Sequence, residues 1–303
     1  MKTYPYTPSQ MANASPAEWL AFIKSPALVA RRFGEILTAQ QFVGNFLLQG
    51  RYKVQGGAIA VPANEIIRTQ RGSETVAPGA DYKLTPISAE QYEMYTTFKE
   101  GLGVEITDEE IGRSLGQPVN DALLVLQTEM VFGANDLALG VIQSSVTQTL
   151  AAGSAWTNGK QVLKDTLRVQ ATVRALKLGF AMDTVVLNGM AYAEVLPELL
   201  DVLPDAEKKA AMSGDFPTIS GITWISSDDD EFADPMFVDR RRLGGIARED
   251  IPSPEYRPVG TDTGVEIASF REKSDKTVLQ ARNPHVPIVT NPLAGLVLTG
   301  TGL

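Results

Sequence analysis

Two stretches decide the fold: RYKVQGGAIAVPA at residues 51–63 and YKLTPISAEQYEMYTTF at residues 82–98. Both read as β-strands because they are rich in β-branched and aromatic residues, and the first carries a Gly-Gly irregularity at 56–57. The residues between them are polar, with turn signals at 71–72 and 78–79. The pattern predicts a long two-stranded hairpin arm.

This arm is a poor candidate for a stable element of a single chain. It carries few large aliphatic side chains, and an isolated two-stranded hairpin is marginally stable in water. A lone excursion of this length is also unusual inside a compact domain. We therefore expect the arm to lie on a neighbouring copy of the protein. The alternative, a mobile surface hairpin or lid, stays open on pattern alone.

The residues before the arm predict an extended segment at 1–14 followed by two short helices. Ser15 and Glu18 have the spacing of a capping box, and Pro16 suits the first helical position. Pro26 marks the start of the second helix in the same way.

The middle of the chain predicts the longest helix. A capping box at Thr107 and Glu110 starts a short helix, and Pro118 then opens a segment that stays helical in pattern to about residue 150. Its apolar residues recur every three or four positions in two stripes, and its length would be roughly 45–50 Å. We expect this helix to be buried on much of its circumference.

The C-terminal half alternates between helical and strand patterns. Residues 160–240 predict a helix-strand-helix-strand order, which indicates a compact α/β lobe. Three further strands are predicted at 265–270, 277–281 and 293–299, punctuated by two Asn-Pro pairs.

Composition excludes several kinds of site. The 303 residues contain no cysteine and one histidine, so thiolate zinc sites are ruled out and a Ser-His-Asp triad has little to draw on. The net charge of −9 argues against tight binding of nucleic acid through its phosphates. The chain does not start like a signal peptide, and no apolar run approaches the roughly 20 residues that a membrane helix needs, so we expect a soluble protein.

Five motifs could carry chemistry, and each has a simpler explanation. The acidic run at 228–231 lacks the glycine and the distant glutamate of an EF-hand and is better explained as a solvated loop. Capping and the helix dipole account for the carboxylates at 108–110, and the glycines at 101–103 are too few for a dinucleotide fingerprint. His285 is interpreted as structural, and the arginines at 240–242 favour inter-subunit salt bridges over phosphate binding. We predict no catalytic, cofactor or metal site.

Four motifs occur in an order that matches a known family. They are GGAIAVPANE at 56–65, TVAPGADYKLTPIS at 75–88, FKEGLGVEITDEEI at 98–111 and NPLAGLVLTG at 291–300. Together they resemble the major capsid proteins of tailed bacteriophages with the Hong Kong 97-type fold, especially those of phages of actinobacteria. The resemblance covers nearly the whole chain.

The resemblance implies an α+β fold with an N-terminal arm, an extended E-loop hairpin, a long spine helix, a peripheral β domain and an α/β axial domain. The implied division places the N-terminal arm and short helices at 1–49 and the E-loop at 50–97. The peripheral domain with the spine helix would cover 98–152 and 262–303, and the axial domain 153–261.

The resemblance also implies a function. The chain would be a non-enzymatic major capsid protein that assembles into the icosahedral head shell around the double-stranded DNA of a tailed phage. Its partners would be its own copies in pentamers and hexamers, a separate scaffolding protein, a portal and an optional decoration protein. It would be assembled in the host cytoplasm and need no cofactor. The predicted inter-subunit contacts are Arg68, Arg71, Glu74, Asp81, Lys83, Arg240, Arg241 and Arg242.

Some members of that family join their subunits through lysine–asparagine isopeptide bonds, with a nearby glutamate as base. Lys53 and Lys83 lie in the predicted arm and Asn283 and Asn291 lie near the end of the chain, but no Asp or Glu follows Asp275. Because an ammonium must lose a proton before it attacks an amide, we predict a shell without covalent cross-links.

Two other functions stay open at this point. An encapsulin-like nanocompartment would use the same fold, although encapsulins generally begin with a helix and not with an extended arm. An α+β enzyme with a hairpin lid would need a cleft with perturbed ionisable groups, and the sequence offers no convincing nucleophile or metal set.

Overall fold

The computed structural model describes residues 14–37, 43–62, 72–84, 92–203, 208, 216–227, 232, 234–260 and 263–303. Within them the helices are α1 (Pro16–Ile23), α2 (Pro26–Leu37), α3 (Val43–Leu47), α4 (Asp108–Ser114), α5 (Gln117–Ser145), α6 (Gly159–Ala175), α7 (Gly189–Val202) and α8 (Arg240–Leu243). The strands are β1 (Gly50–Val54), β2 (Ala58–Pro62), β3 (Tyr92–Thr96), β4 (Phe98–Thr107), β5 (Thr149–Ala151), β6 (Thr184–Asn188), β7 (Thr218–Ile219), β8 (Ile222–Ser227), β9 (Met236–Val238), β10 (Gly244–Glu249), β11 (Arg257–Pro258), β12 (Glu266–Arg271), β13 (Lys276–Val289) and β14 (Gly295–Thr299). The predicted α+β class is confirmed.

The N-terminal helices begin where the sequence predicts. Glu18 Oε2 accepts hydrogen bonds from both the backbone N–H and the hydroxyl of Ser15, each at 2.9 Å, so the capping box is present. The buried indole of Trp19 packs against Gly116, the residue before α5, and ties α1 to the long helix. The predicted extended segment at 1–14 lies, apart from its last residue, outside the described residues.

The long helix α5 connects two hydrophobic cores. Its first half packs with α1, α2, β12 and β13, where Leu123 is fully buried. Its second half packs with α6, α7 and the strands β6, β8 and β9, where Ile142 is fully buried. By length and composition α5 could also cross a membrane, but half of its most apolar 18-residue stretch is buried inside this fold. The helix therefore serves as the shared core helix of the chain.

The helix ends earlier than predicted. It stops at Ser145, and Thr149–Ala151 forms β5 instead of a last helical turn. This short strand pairs in parallel with β14, Thr149 lying opposite Val297. The conformation of residues 149–151 is therefore decided by a strand about 150 positions away in sequence. No local pattern contains that partner.

The strands form two six-stranded sheets and one separate pair. The first sheet has the order β1-β10-β13-β12-β11, and β4 also pairs with β13. The second sheet has the order β5-β14-β9-β6-β8-β7, and β2 pairs only with β3. The strands predicted within 160–240 all belong to the second sheet, which agrees with a compact α/β lobe.

A predicted strand boundary near the end of the chain is also wrong. The strand expected at 277–281 is part of the 14-residue β13, which continues straight through Asn283-Pro284. Pro284 pairs with Lys99 of β4 and Pro287 with Ile246 of β10, and the register gives neither proline a partner strand on its other side. A proline lacks one donor, so a strand tolerates it where only one side must be paired.

Two segments near the predicted domain boundaries pair with strands that are distant in sequence. The closing strand β14 lies in the second sheet beside β9, away from β12 and β13. Conversely, β10 falls within the predicted axial segment 153–261 but pairs with β13 in the first sheet. The chain thus passes between the two sheets at both segments, and the division of domains at 152 and 261 stays a prediction.

Candidate assembly surface

The feature that stands apart from both sheets is the arm, which we define as residues 55–97. Its two ends pair as the antiparallel strands β2 and β3, with Ala58 opposite Thr96. Of the predicted returning strand, Tyr92–Thr96 forms β3, residues 82–84 are not in strand conformation, and residues 85–91 lie outside the described residues. The predicted turn at 78–79 is present, closed by a 3.0 Å hydrogen bond from the Ala80 N–H to the Ala77 carbonyl.

The arm holds large apolar side chains in contact with water. The exposed fractions are 80% for Tyr82, 91% for Leu84, 65% for Tyr92 and 70% for Met94. Contiguous exposed apolar surface on a soluble protein marks a site of interaction. Within the described residues, 72–84 pack against neither hydrophobic core.

The base of the arm is attached to the first sheet. Val61 of β2 joins a small apolar cluster with Val54, Val286 and Ile288. Tyr95 packs against this cluster and donates a 2.6 Å hydrogen bond to a Glu93 carboxylate. Partial burial raises the pKa of Tyr95 to about 12, and the Glu93 hydrogen bond and charge add to the effect, so the phenol stays neutral.

Three of the five arm residues predicted as inter-subunit contacts lie within the described residues. Glu74 and Lys83 form an ion pair with each other at 2.9 Å, and both side chains are largely exposed. Such an exposed pair is worth about 1 kcal/mol or less. Asp81 is exposed. Arg68 and Arg71 lie outside the described residues.

The arginine triplet is not uniformly available for contacts. Arg240 is half-buried, pairs with Asp183 at 3.2 Å and lies 4.2 Å above the Phe46 ring. Arg240 therefore already has an ion-pair partner within its own chain. Arg241 and Arg242 are exposed on the same short helix, and inter-subunit contacts of all three arginines stay a prediction.

A second exposed apolar surface lies on the outer face of α5. Leu124, Val125 and Phe132 are exposed there. Asp121 and Glu129 lie on the same exposed face, and α5 contains no Lys or Arg. The face is therefore apolar at its centre and acidic along one side.

The remaining motifs have structural roles. Glu110 and Thr107 cap α4 reciprocally, and the backbone N–H of Thr107 is the main cause that lowers the pKa of Glu110. A Cβ on Gly101 would lie 2.9 Å from the Ala281 carbonyl oxygen, so this glycine permits close strand pairing. His285 is buried, and burial lowers its pKa. The acidic run at 228–231 lies outside the described residues.

The two candidate cross-linking asparagines are buried. Asn291 donates a 3.0 Å hydrogen bond to the Arg242 carbonyl, and Asn283 lies inside β13. Glu100 of β4 lies opposite Asn283 in the register, so a carboxylate is present nearby although none follows Asp275 in sequence. The burial of both amides, and not the absence of acids, is the stronger support for a shell without cross-links.

Two sheets joined by one long helix, with a separate hairpin arm, define the Hong Kong 97-type capsid fold expected from the sequence. Solved structures with this architecture match most of the chain. A virus-like particle from Pyrococcus furiosus has a TM-score of 0.58 at 13% identity, covering 89% of this chain and 97% of that one.

Two phage structures are similar in the same way. The capsid of the cyanophage P-SCSP1u has a TM-score of 0.54 at 9% identity, covering 83% of this chain and 86% of the other. A structure of Mycobacterium phage Che8 has a TM-score of 0.52 at 14% identity, covering 87% and 93%. No protein-family model and no curated protein matches the sequence. These likenesses establish the fold.

Proposed function

We propose that this chain is the major capsid protein of a tailed phage, a shell subunit that acts by self-assembly. The observation that carries the proposal is its fold, shared over most of both chains with a virus-like particle and with phage capsids. The exposed arm supports it independently, because an apolar arm that its own core leaves uncovered needs a surface on another copy.

The arm supplies the energy that assembly requires. Burying one large apolar side chain contributes about 1.5–3 kcal/mol. Tyr82, Leu84, Tyr92 and Met94 are all available for such burial on a neighbouring copy. Ring closure makes later contacts intramolecular, so modest contacts on each subunit add up to a stable shell.

The finer parts of the proposal follow from the family resemblance. Copies would form pentamers and hexamers, a separate scaffolding protein and a portal would assist assembly, and the shell would enclose double-stranded DNA in the virion. The net charge of −9 suits a wall that encloses DNA without adhering to it. The role proposed here uses no catalytic group and no cofactor.

A second candidate uses the same fold. An encapsulin-like nanocompartment would also be a closed shell of identical subunits, and the similarity to a virus-like particle is compatible with it. The two candidates differ in what they enclose, DNA for a phage head and cargo protein for a nanocompartment. Analysis of the contents of particles purified from the native source distinguishes them.

Electron microscopy of the purified recombinant protein tests the proposal directly. We expect closed icosahedral shells. Monomers at all concentrations, or open tubes alone, would contradict it.

The contribution of the arm is tested with the double variant Tyr82→Ser with Leu84→Ser. Both side chains are exposed, so we expect stability of the monomer to change by less than about 0.5 kcal/mol. Loss of about 3–6 kcal/mol of apolar burial at each contact should lower the yield of shells more than tenfold. Met190→Ser is the matched control, since Met190 is 76% exposed on α7 and lies outside the arm. A double variant that assembles like the wild type would refute this role of the arm.

A further inference from the structure

The junction between the arm and the first sheet contains one carboxylate that contacts both strands of the arm. Glu249 is the last residue of β10 and lies opposite Val54, the last residue of β1, in the parallel register. Its Oε1 accepts a 3.0 Å hydrogen bond from the Gly57 N–H, and its Oε2 accepts a 2.6 Å hydrogen bond from the Thr97 hydroxyl. One oxygen therefore contacts the segment that leads into β2, and the other contacts the residue that follows β3.

Gly56 and Gly57 form the two-residue turn between Gln55 and Ala58, which are paired in an antiparallel bridge. Gly56 and Gly57 have φ values of 75° and 81°, which glycine adopts far more easily than other residues. A Cβ at either position would meet no heavy atom within 4 Å, so neighbouring side chains do not restrain the backbone there. On the other strand, Thr97 lies between β3 and β4 and belongs to neither. The arm thus joins the body through two non-strand segments.

Within the described part of the arm, the other contacts with the body give it little directional restraint. The Thr97 N–H donates a 3.0 Å hydrogen bond to the Gly57 carbonyl, which ties the two strands to each other but not to the body. The apolar cluster around Val61 and Val286 attaches the base of the arm, but apolar contacts are not directional. The Glu249 hydrogen bonds are directional and join the arm to the end of β10.

We infer that Glu249 is a positioning residue: its carboxylate holds the arm in the direction from which it reaches a neighbouring copy. A charged acceptor forms stronger hydrogen bonds than a neutral one, and a carboxylate accepts at two oxygens simultaneously. Alanine removes both hydrogen bonds. Glutamine can keep both contacts in a weaker form, because its oxygen can accept from Gly57 while its amide donates to the Thr97 hydroxyl.

This inference rests on the proposed function only for its effect on assembly, so the direction of the arm is measured separately. The chain contains no cysteine, which allows spin labels at two introduced cysteines, Asp81→Cys on the arm and Lys273→Cys in the turn between β12 and β13. Both positions are exposed. Distances are measured on subunits kept below the concentration at which particles form.

We expect Glu249→Ala to widen the distribution of label distances at least twofold and to speed hydrogen exchange at the Gly57 amide at least tenfold. Thr97→Val should give a smaller widening, and Glu249→Gln should stay close to the wild type. Glu255→Ala, an exposed carboxylate on the loop after β10, is the control and should change neither quantity. If Glu249→Ala lowers the midpoint of thermal unfolding, Thr97→Val still tests the contact.

The same variants are then assembled. We expect Glu249→Ala to yield at least tenfold fewer closed shells, while Glu249→Gln recovers most of the yield. An unchanged distance distribution, or a wide distribution with a normal yield of shells, overturns the inference. A wild-type protein that forms no shells would instead refute the proposed function, because the measurement of arm direction does not depend on assembly.

Discussion

Gly116 offers a direct test of how the N-terminal helices are held against the long helix. A Cβ built on this residue would lie 1.9 Å from Cζ2 and 2.0 Å from Cε2 of Trp19. Carbon atoms pack best at about 3.5–4.0 Å, so the indole or α5 would have to move by about 1.5 Å. The φ of Gly116 is −88°, a value that alanine adopts freely, so the whole cost of Gly116→Ala comes from this contact.

The size of the effect follows from burial. Trp19 is 2% exposed and cannot move into solvent, so the added methyl group must over-pack the core, at a cost of about 1–3 kcal/mol. Gly112→Ala is the matched control, because a Cβ on Gly112 in α4 meets nothing within 4 Å. In Gly112→Ala the alanine lowers the conformational entropy of the unfolded chain and forms no clash, so the variant should be more stable by about 0.4–1 kcal/mol. The same chemical change is therefore expected to have opposite signs four residues apart.

Urea unfolding of unassembled subunits, followed by circular dichroism, gives the free energies of unfolding of Gly116→Ala and Gly112→Ala. Adding Trp19→Phe to Gly116→Ala should recover part of the loss, and the double-mutant cycle should give a coupling energy above about 0.5 kcal/mol. If Gly116→Ala is as stable as the wild type, the packing of α1 against the start of α5 is not as described.

Two further outcomes are expected. Burial, and then the charge of Arg248, lower the pKa of His285 against the opposing effects of the Asn283 carbonyl and Glu100. The unfolded chain therefore binds the proton first, and stability should fall as pH drops below about 6.5, by up to about 1.4 kcal/mol per pH unit until the folded state also titrates. Urea unfolding at several pH values should give this slope for the wild type and a flatter one for His285→Phe. A denaturing gel of mature particles should give a single subunit band, because Asn283 and Asn291 are buried, and a ladder of linked subunits would contradict the prediction.

Contacts between residues that are close in sequence were predicted well. The capping boxes at Ser15 and Thr107 are both present. Each of these contacts spans three residues, so the pattern that predicts it is contained in one short window. The pairing of the two ends of the arm was also predicted, because its strand and turn signals are local.

Contacts distant in sequence were not predicted. The ion pair of Arg240 with Asp183, 57 positions earlier, follows from no local pattern. No sequence pattern points to Glu249, whose partner Gly57 is 192 positions away. Glu100 reaches Asn283 only because β4 and β13 are paired.

The sequence by itself determined the helices, their starts, the existence of the arm and the family resemblance, because periodicity and capping act over a few residues. The tertiary structure alone decided that β14 belongs to the second sheet, that β13 continues through Asn283-Pro284, and that Glu249 holds the base of the arm. Strand pairing and ion pairing depend on which segments are neighbours in space. The packing of the two hydrophobic cores decides which segments become neighbours.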